Sequence, residues 1–207
     1  MSVESSATVF RGVRVFDGRH SALRGPSDVV VRGATIESVG PAGEPVPAGP
    51  EVRVIDGGGR VLMPGLIDAH WHTTFVAVPV QVAMTADPSY LHLMAGREAQ
   101  RTLLRGFTSV RDAGGPAFGL KRAIDDGVVA GPRIHPCGAF ITQTAGHGDF
   151  RLRHELPRAC GPLSHGETMG ASAIADGVDQ VLRAAREQLL LGASQLKVMA
   201  GGGIASP

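Results

Sequence analysis

From residue 61 onward, apolar runs that read as strands alternate with runs of helical spacing, and this alternation is what most limits the fold. Residues 61–72 (VLMPGLIDAHWH), 108–115 (TSVRDAGG), 133–141 (RIHPCGAFI) and 194–203 (SQLKVMAGGG) read as strands. The first is nearly continuous in apolar residues, the pattern of a strand buried on both faces. Residues 88–105 place Leu91, Met94, Ala95, Ala99 and Leu103 near helical spacing, and Gly106 stops the run. Residues 118–127 form a short helix, and 176–192 a longer one with Val178, Val181, Leu182, Ala185 and Leu189 on one face. A long polar stretch, 142–172, separates the third strand from the last helix. Strands alternating with helices mean parallel β/α units. The expected class is therefore α/β.

Residues 8–60 have a different grammar. Short runs rich in Val and Ile are closed by Gly, Pro or Asp-Gly, and Pro41, Pro45, Pro47 and Pro50 crowd one connecting loop. This predicts a small antiparallel sheet. The expected organisation is residues 1–60 as a small β part and 61–207 as four β/α units. At 207 residues the chain is too short for a complete eight-fold β/α barrel, which takes ~250.

Composition narrows the function. The net charge is +1 with dispersed basic residues, and the aromatics are Phe 7, Trp 1 and Tyr 1, which argues against a nucleic-acid partner. No apolar run approaches the ~18 residues of a membrane span, and the N-terminus carries no basic segment followed by an apolar stretch. Cys137 and Cys160 fit neither a disulfide framework nor a zinc ribbon. The expected location is the cytoplasm. No phosphate loop or dinucleotide glycine fingerprint is present.

Three sites carry chemistry. His70 and His72 end the first apolar strand, where residues two apart point to one side, with Asp68 one step further in. Two imidazoles so placed can chelate one divalent metal, and stray polar groups at the end of an apolar run are costly. The alternative is an accidental surface pair. Lys197 lies in the apolar fourth strand and is one of only two lysines, with Lys121. Burial lowers a lysine's pKa, and a neutral amine can take up carbon dioxide as a carbamate whose oxygens bridge two metals. The alternative is a lysine that snorkels to solvent. His147, flanked by Gly146 and Gly148, follows the third strand on the side where barrel active sites form. It reads either as a substrate contact or as an ordinary loop histidine. Arg151, Arg153 and His154 read as a solvated basic loop rather than as a contact for a substrate carboxylate, and Asp112, ending the second strand, as a structural residue rather than as a hydrogen-bond acceptor supporting the site.

Taken together, Val61–His72, Gly106–Asp112, Gly131–Ile134 and Gln195–Gly203 resemble strand motifs one to four of the amidohydrolase superfamily. The fourth is similar to the binuclear branch of imidazolonepropionase-like and Xaa-Pro dipeptidase (prolidase)-like enzymes. The resemblance implies a distorted (β/α)8 barrel of the TIM type beside a small β-sandwich built from both chain ends. It implies His70, His72 and Lys197 as metal ligands, with two zinc ions bridged by carbamylated Lys197, and His147 as a substrate-binding residue. It implies hydrolysis of an amide or peptide-like C–N bond, in a dipeptide or N-acyl amino acid, by a hydroxide bridging the metals. The family's remaining histidines and its catalytic aspartate would lie beyond residue 207. The chain thus resembles an N-terminal half, and alone it is expected to be inactive; a homo-oligomer is left open. The rival readings are a mononuclear deaminase of the same superfamily and a non-catalytic fragment or interaction module.

Overall fold

A computed structural model describes residues 6–49, 51–157 and 160–203. Met1–Ser5 of the N-terminus and the last residues of the fourth unit lie outside these. The chain divides into two compact units, Met1–Pro64 and Gly65–Pro207.

The first unit is one five-stranded sheet, formed by β1 (Ala7–Val15), β2 (Arg24–Arg32), β3 (Thr35–Pro41), β4 (Val52–Asp56) and β5 (Val61–Leu62). The strands β1, β2 and β3 are antiparallel, as predicted, but β4 and β5 run parallel to β1, so the sheet is mixed. Ala7, Val9, Val13, Val29 and Val30 are its buried apolar residues, with Val29 and Val30 on opposite faces. Asp28 is buried among them and is held by two backbone donors, Gly12 N at 2.8 Å and Gly43 N at 3.1 Å. These bonds brace β1 where its register with β2 shifts between Phe10 and Val13, and they pull the carboxyl below its usual pKa.

The second unit contains β6 (Leu66–Trp71), α1 (Val80–Thr85), α2 (Pro88–Leu104), β7 (Phe107–Asp112), α3 (Phe118–Asp125), β8 (Arg133–His135), β9 (Phe140–Thr142), α4 (His165–Thr168), β10 (Ser172–Ile174), α5 (Val178–Leu190) and β11 (Val198–Met199). The run 61–72 is two strands rather than one. The chain breaks at Pro64-Gly65, and a side chain on Gly65 would lie 2.6 Å from Thr108 Cβ, so only glycine admits the approach of β7. Nor is β6 buried on both faces: Ile67 is 72% exposed. Among the described residues β6 pairs on one side only, with β7.

All strand pairs of this unit are parallel, in two sheets ordered β6-β7-β8 and β10-β9-β11. The third predicted strand is thus divided between them. The join is stitched by Gly115 N donating to Gly138 O (2.9 Å) and Ser194 N to Pro136 O (2.7 Å). The Gln195 amide also donates to Asp112 O (3.1 Å) and His135 O (2.9 Å). Among the described residues these strands do not close into a barrel.

Packing follows the helices. Trp71, Val110 and Ile134 from the first sheet meet Ala95 and Ala99 of α2 and Leu120 of α3. Asp87 caps α2 by accepting from Ser89 N (2.8 Å), with Pro88 in its first turn and Gly106 just past its end. Against β9 the face of α5 that turns inward carries Ala184, with Val181 and Ala185 beside it, while Val178 is 82% exposed. Gln188 also lies on that face, and its buried Oε1 accepts from Ala139 N at 2.9 Å. The helix α4 lies within the stretch that reads as polar in the sequence, and β10 begins at its last residue, Ser172.

Candidate metal centre

His70 and His72 leave the C-terminal end of β6 with ring centroids 5.2 Å apart and planes at 63°. Simple alternation does not place them. Asp68 is opposite Val110, but Trp71 is opposite Asp112, so β6 carries an extra residue between these pairs. The Asp68 carboxylate is turned back on the chain, accepting from His70 N at 3.0 Å, and Arg111 Nε donates to Ala69 O at 2.6 Å. The pKa of His70 is lowered, by burial first and then by the positive charge of Lys197, His72 and Arg111, against the opposing pull of Asp68. A neutral imidazole is the form that ligates a metal.

The Nδ1 atom of His72 lies 3.1 Å from the carbonyl oxygen of Gly114. A carbonyl only accepts, so Nδ1 carries the proton and Nε2 keeps a free lone pair. Its ring is backed by aromatic side chains, with Phe140 at 5.6 Å and Phe75 at 6.2 Å. Phe75 and Phe140 stack on each other, and Phe150 closes against both. This wall comes from three separate loops and strands and has no periodic signature, which is why the sequence does not announce it.

Lys197 precedes β11, and its carbonyl accepts from Ile141 N at 2.9 Å. Its side chain is half-buried, less enclosed than the apolar run predicts, because β11 pairs with β9 alone among the described residues and its neighbour Val198 is 56% exposed. His147 lies in the loop after β9, where Gly148 N donates to Thr142 Oγ1 at 3.3 Å. Its ring packs against Gly203, on which an added Cβ would stand 2.7 Å from His147 Cγ. The Nδ1 atom of His147 is buried without a hydrogen-bond partner.

The basic loop is not wholly solvated. Arg151 is bidentate to buried Asp149, with Nη2 at 2.5 Å and Nε at 2.8 Å, so that guanidinium is already committed. Arg153 and His154 are exposed. Both cysteines are free. The Cys137 thiol is pushed up to about 12 by burial and by the negative charge of Asp112, which makes it inert.

Asp112 matters more to the site than its sequence suggests. It is fully buried at the end of β7, and its hydrogen bonds reach Thr73 and Gly114, on either side of the His72 ring. The available signal is an ionisable residue ending an apolar strand directly before Ala-Gly-Gly.

The donors present suit a divalent cation: two converging imidazoles, one with its pKa depressed and the other with its free nitrogen defined by a carbonyl. Among the described residues no group of three or more His, Cys, Asp or Glu is placed to hold an ion, and Lys197 is near enough for its charge to bear on His70.

The paired histidines thus stand at the C-terminal end of a parallel β/α strand, the face on which barrel active sites form. Residues 61–207 match the Amidohydrolase family, and the chain belongs to it. Among curated proteins it is 36% identical over 157 residues to ochratoxinase of Aspergillus niger, covering 70% of this chain and 32% of that protein. A prolidase solved with N-methylphosphonate-L-proline superposes with a TM-score of 0.83 at 39% identity, over 97% of this chain and 48% of that one. A Xaa-Pro dipeptidase with methionine bound in its active site superposes with a TM-score of 0.78 at 25% identity, with the same coverage. The chain spans about half the length of these solved relatives and a third of ochratoxinase. No helix among the described residues is long and apolar enough to cross a membrane.

Proposed function

We propose that the protein is a metal-dependent amidohydrolase that cleaves an amide or peptide-like C–N bond in a dipeptide or N-acyl amino acid. The observation that carries this reading is the His70–His72 pair at the end of β6, with Nδ1 of His72 tied to Gly114 O and Nε2 left free. Residues 61–207 supply the first four units of a (β/α)8 barrel in this reading, and residues 1–60 part of a small β-sandwich. The cytoplasm is its place of action, in keeping with two unpaired cysteines.

His70, His72 and Lys197 would hold the metal, with Lys197 as a carbamate between two zinc ions. A divalent ion bound there supplies a lowered pKa for water and a polarised substrate carbonyl. The chain's own residues do the rest. His70 offers a neutral nitrogen. Phe75, Phe140 and Phe150 keep water from one side of His72. His147, half-buried in the loop after β9, contacts the substrate through the part of its ring not covered by Gly203. Support for the substrate class comes from the relatives' names, a prolidase and a Xaa-Pro dipeptidase.

The test is metal analysis of the native protein together with hydrolysis of Xaa-Pro dipeptides and N-acyl amino acids. Two equivalents of zinc are expected, with activity lost on chelation and in His70→Ala or His72→Ala. One equivalent with full activity would favour a mononuclear enzyme, and metal-loaded protein that cleaves no amide would overturn the class.

A further inference from the structure

Asp112 accepts three hydrogen bonds, and all of them converge on the surroundings of His72. Its Oδ2 accepts from Thr73 N at 2.9 Å and from the Thr73 hydroxyl. Its Oδ1 accepts from Gly114 N at 2.9 Å. Thr73 follows His72 in the chain, and Gly114 is the residue whose carbonyl meets His72 Nδ1. One carboxylate therefore grips the backbone on one side of this histidine and the hydrogen-bond acceptor of its ring on the other.

Asp112 is 0% exposed and has no ion pair among the described residues, so burial works against its charge and raises its pKa. A buried carboxylate without a cation is costly. The donor count explains why an acid stands there. Thr73 and Gly114 aim donors at both oxygens, whereas asparagine has one acceptor oxygen and would turn its NH₂ toward one of them. The Gly114 carbonyl is held in turn by the glycine's backbone, whose φ of +144° suits no other residue.

We propose that Asp112 is a positioning residue for His72, fixing through Thr73 and Gly114 the ring's direction and its Nδ1–H tautomer. The consequence for metal affinity rests on the reading of His72 as a ligand. The consequence for the tautomer does not.

The experiment uses the native protein with ¹⁵N-labelled histidine, first metal-free for the His72 nitrogen shifts and then titrated with Co²⁺. Wild type is expected to show one tautomer, protonated at Nδ1. Asp112→Asn should mix the two tautomers and weaken Co²⁺ binding by about 10- to 100-fold, the usual effect of removing an outer hydrogen-bond partner. Thr73→Val, which loses only the hydroxyl, should have a smaller effect of the same kind, and Thr73→Ser should restore wild-type behaviour. A folded Asp112→Asn with the wild-type tautomer overturns the proposal, whatever its Co²⁺ affinity. If Asp112→Asn does not fold, an unchanged tautomer in Thr73→Val overturns it instead. A mixed tautomer with unchanged Co²⁺ affinity upholds the positioning role and counts against His72 as a ligand. His72→Ala that binds Co²⁺ as wild type does would show the same failure of the metal reading.

Discussion

The ring of Phe140 fills the space that a side chain on Gly114 would need. Gly114 also has a φ of +144°, so two independent constraints reserve the position for glycine. The same residue holds His72 through its carbonyl and Asp112 through its N–H. Gly114→Ala should therefore cost about 2–5 kcal/mol, combining overpacking and backbone strain. Urea denaturation of the two proteins measures this, and a loss below about 1 kcal/mol would show that the loop relaxes freely.

Lys197→Ala should abolish hydrolysis, and short carboxylic acids should restore part of it by supplying the oxygens of the missing carbamate. A structure of active, metal-loaded enzyme with an unmodified Lys197 pointing to solvent would contradict the assignment.

His147→Ala should lower turnover while leaving metal content unchanged, because its buried Nδ1 has no structural partner to lose. Steady-state kinetics across several dipeptides, paired with elemental analysis, separates the two effects. Unaltered kinetics would return His147 to the role of a loop residue.

Asp28 accepts from Gly12 N and Gly43 N, and its pKa lies below that of an unfolded aspartate. A depressed carboxyl contributes stability above the unfolded pKa of about 3.9, and that contribution is lost as pH falls through the folded value. Asp28→Asn should destabilise the first unit by about 1–3 kcal/mol at neutral pH. It should also flatten the decline in stability below about pH 4. Urea midpoints at pH 7 and pH 3 test both, and parallel pH profiles for the two proteins would refute the claim.

Much of this fold was legible in the chain itself. Alternating apolar runs and helical spacing determine parallel β/α units from residue 65 onward, because side-chain period fixes which face can be buried. Asp87-Pro88 and Gly106 bound α2 through local hydrogen bonding and backbone freedom alone. His70 and His72 stand out at a strand end, and the motifs around them place the chain in its family. Other features were decided only when distant segments met. Pairing partners made the first sheet mixed, since a strand's sequence does not encode the direction of its neighbour. Packing divided the third strand between two sheets, and it placed Ala184 and Gln188 of α5 on the buried side while leaving Val178 exposed. The irregular register after Asp68, not period two, sets the histidine geometry. Asp112, 40 positions beyond His72, governs the histidine's surroundings through bonds that exist only once β6 and β7 lie side by side, because short-range hydrogen bonding depends on distance in space and not along the chain.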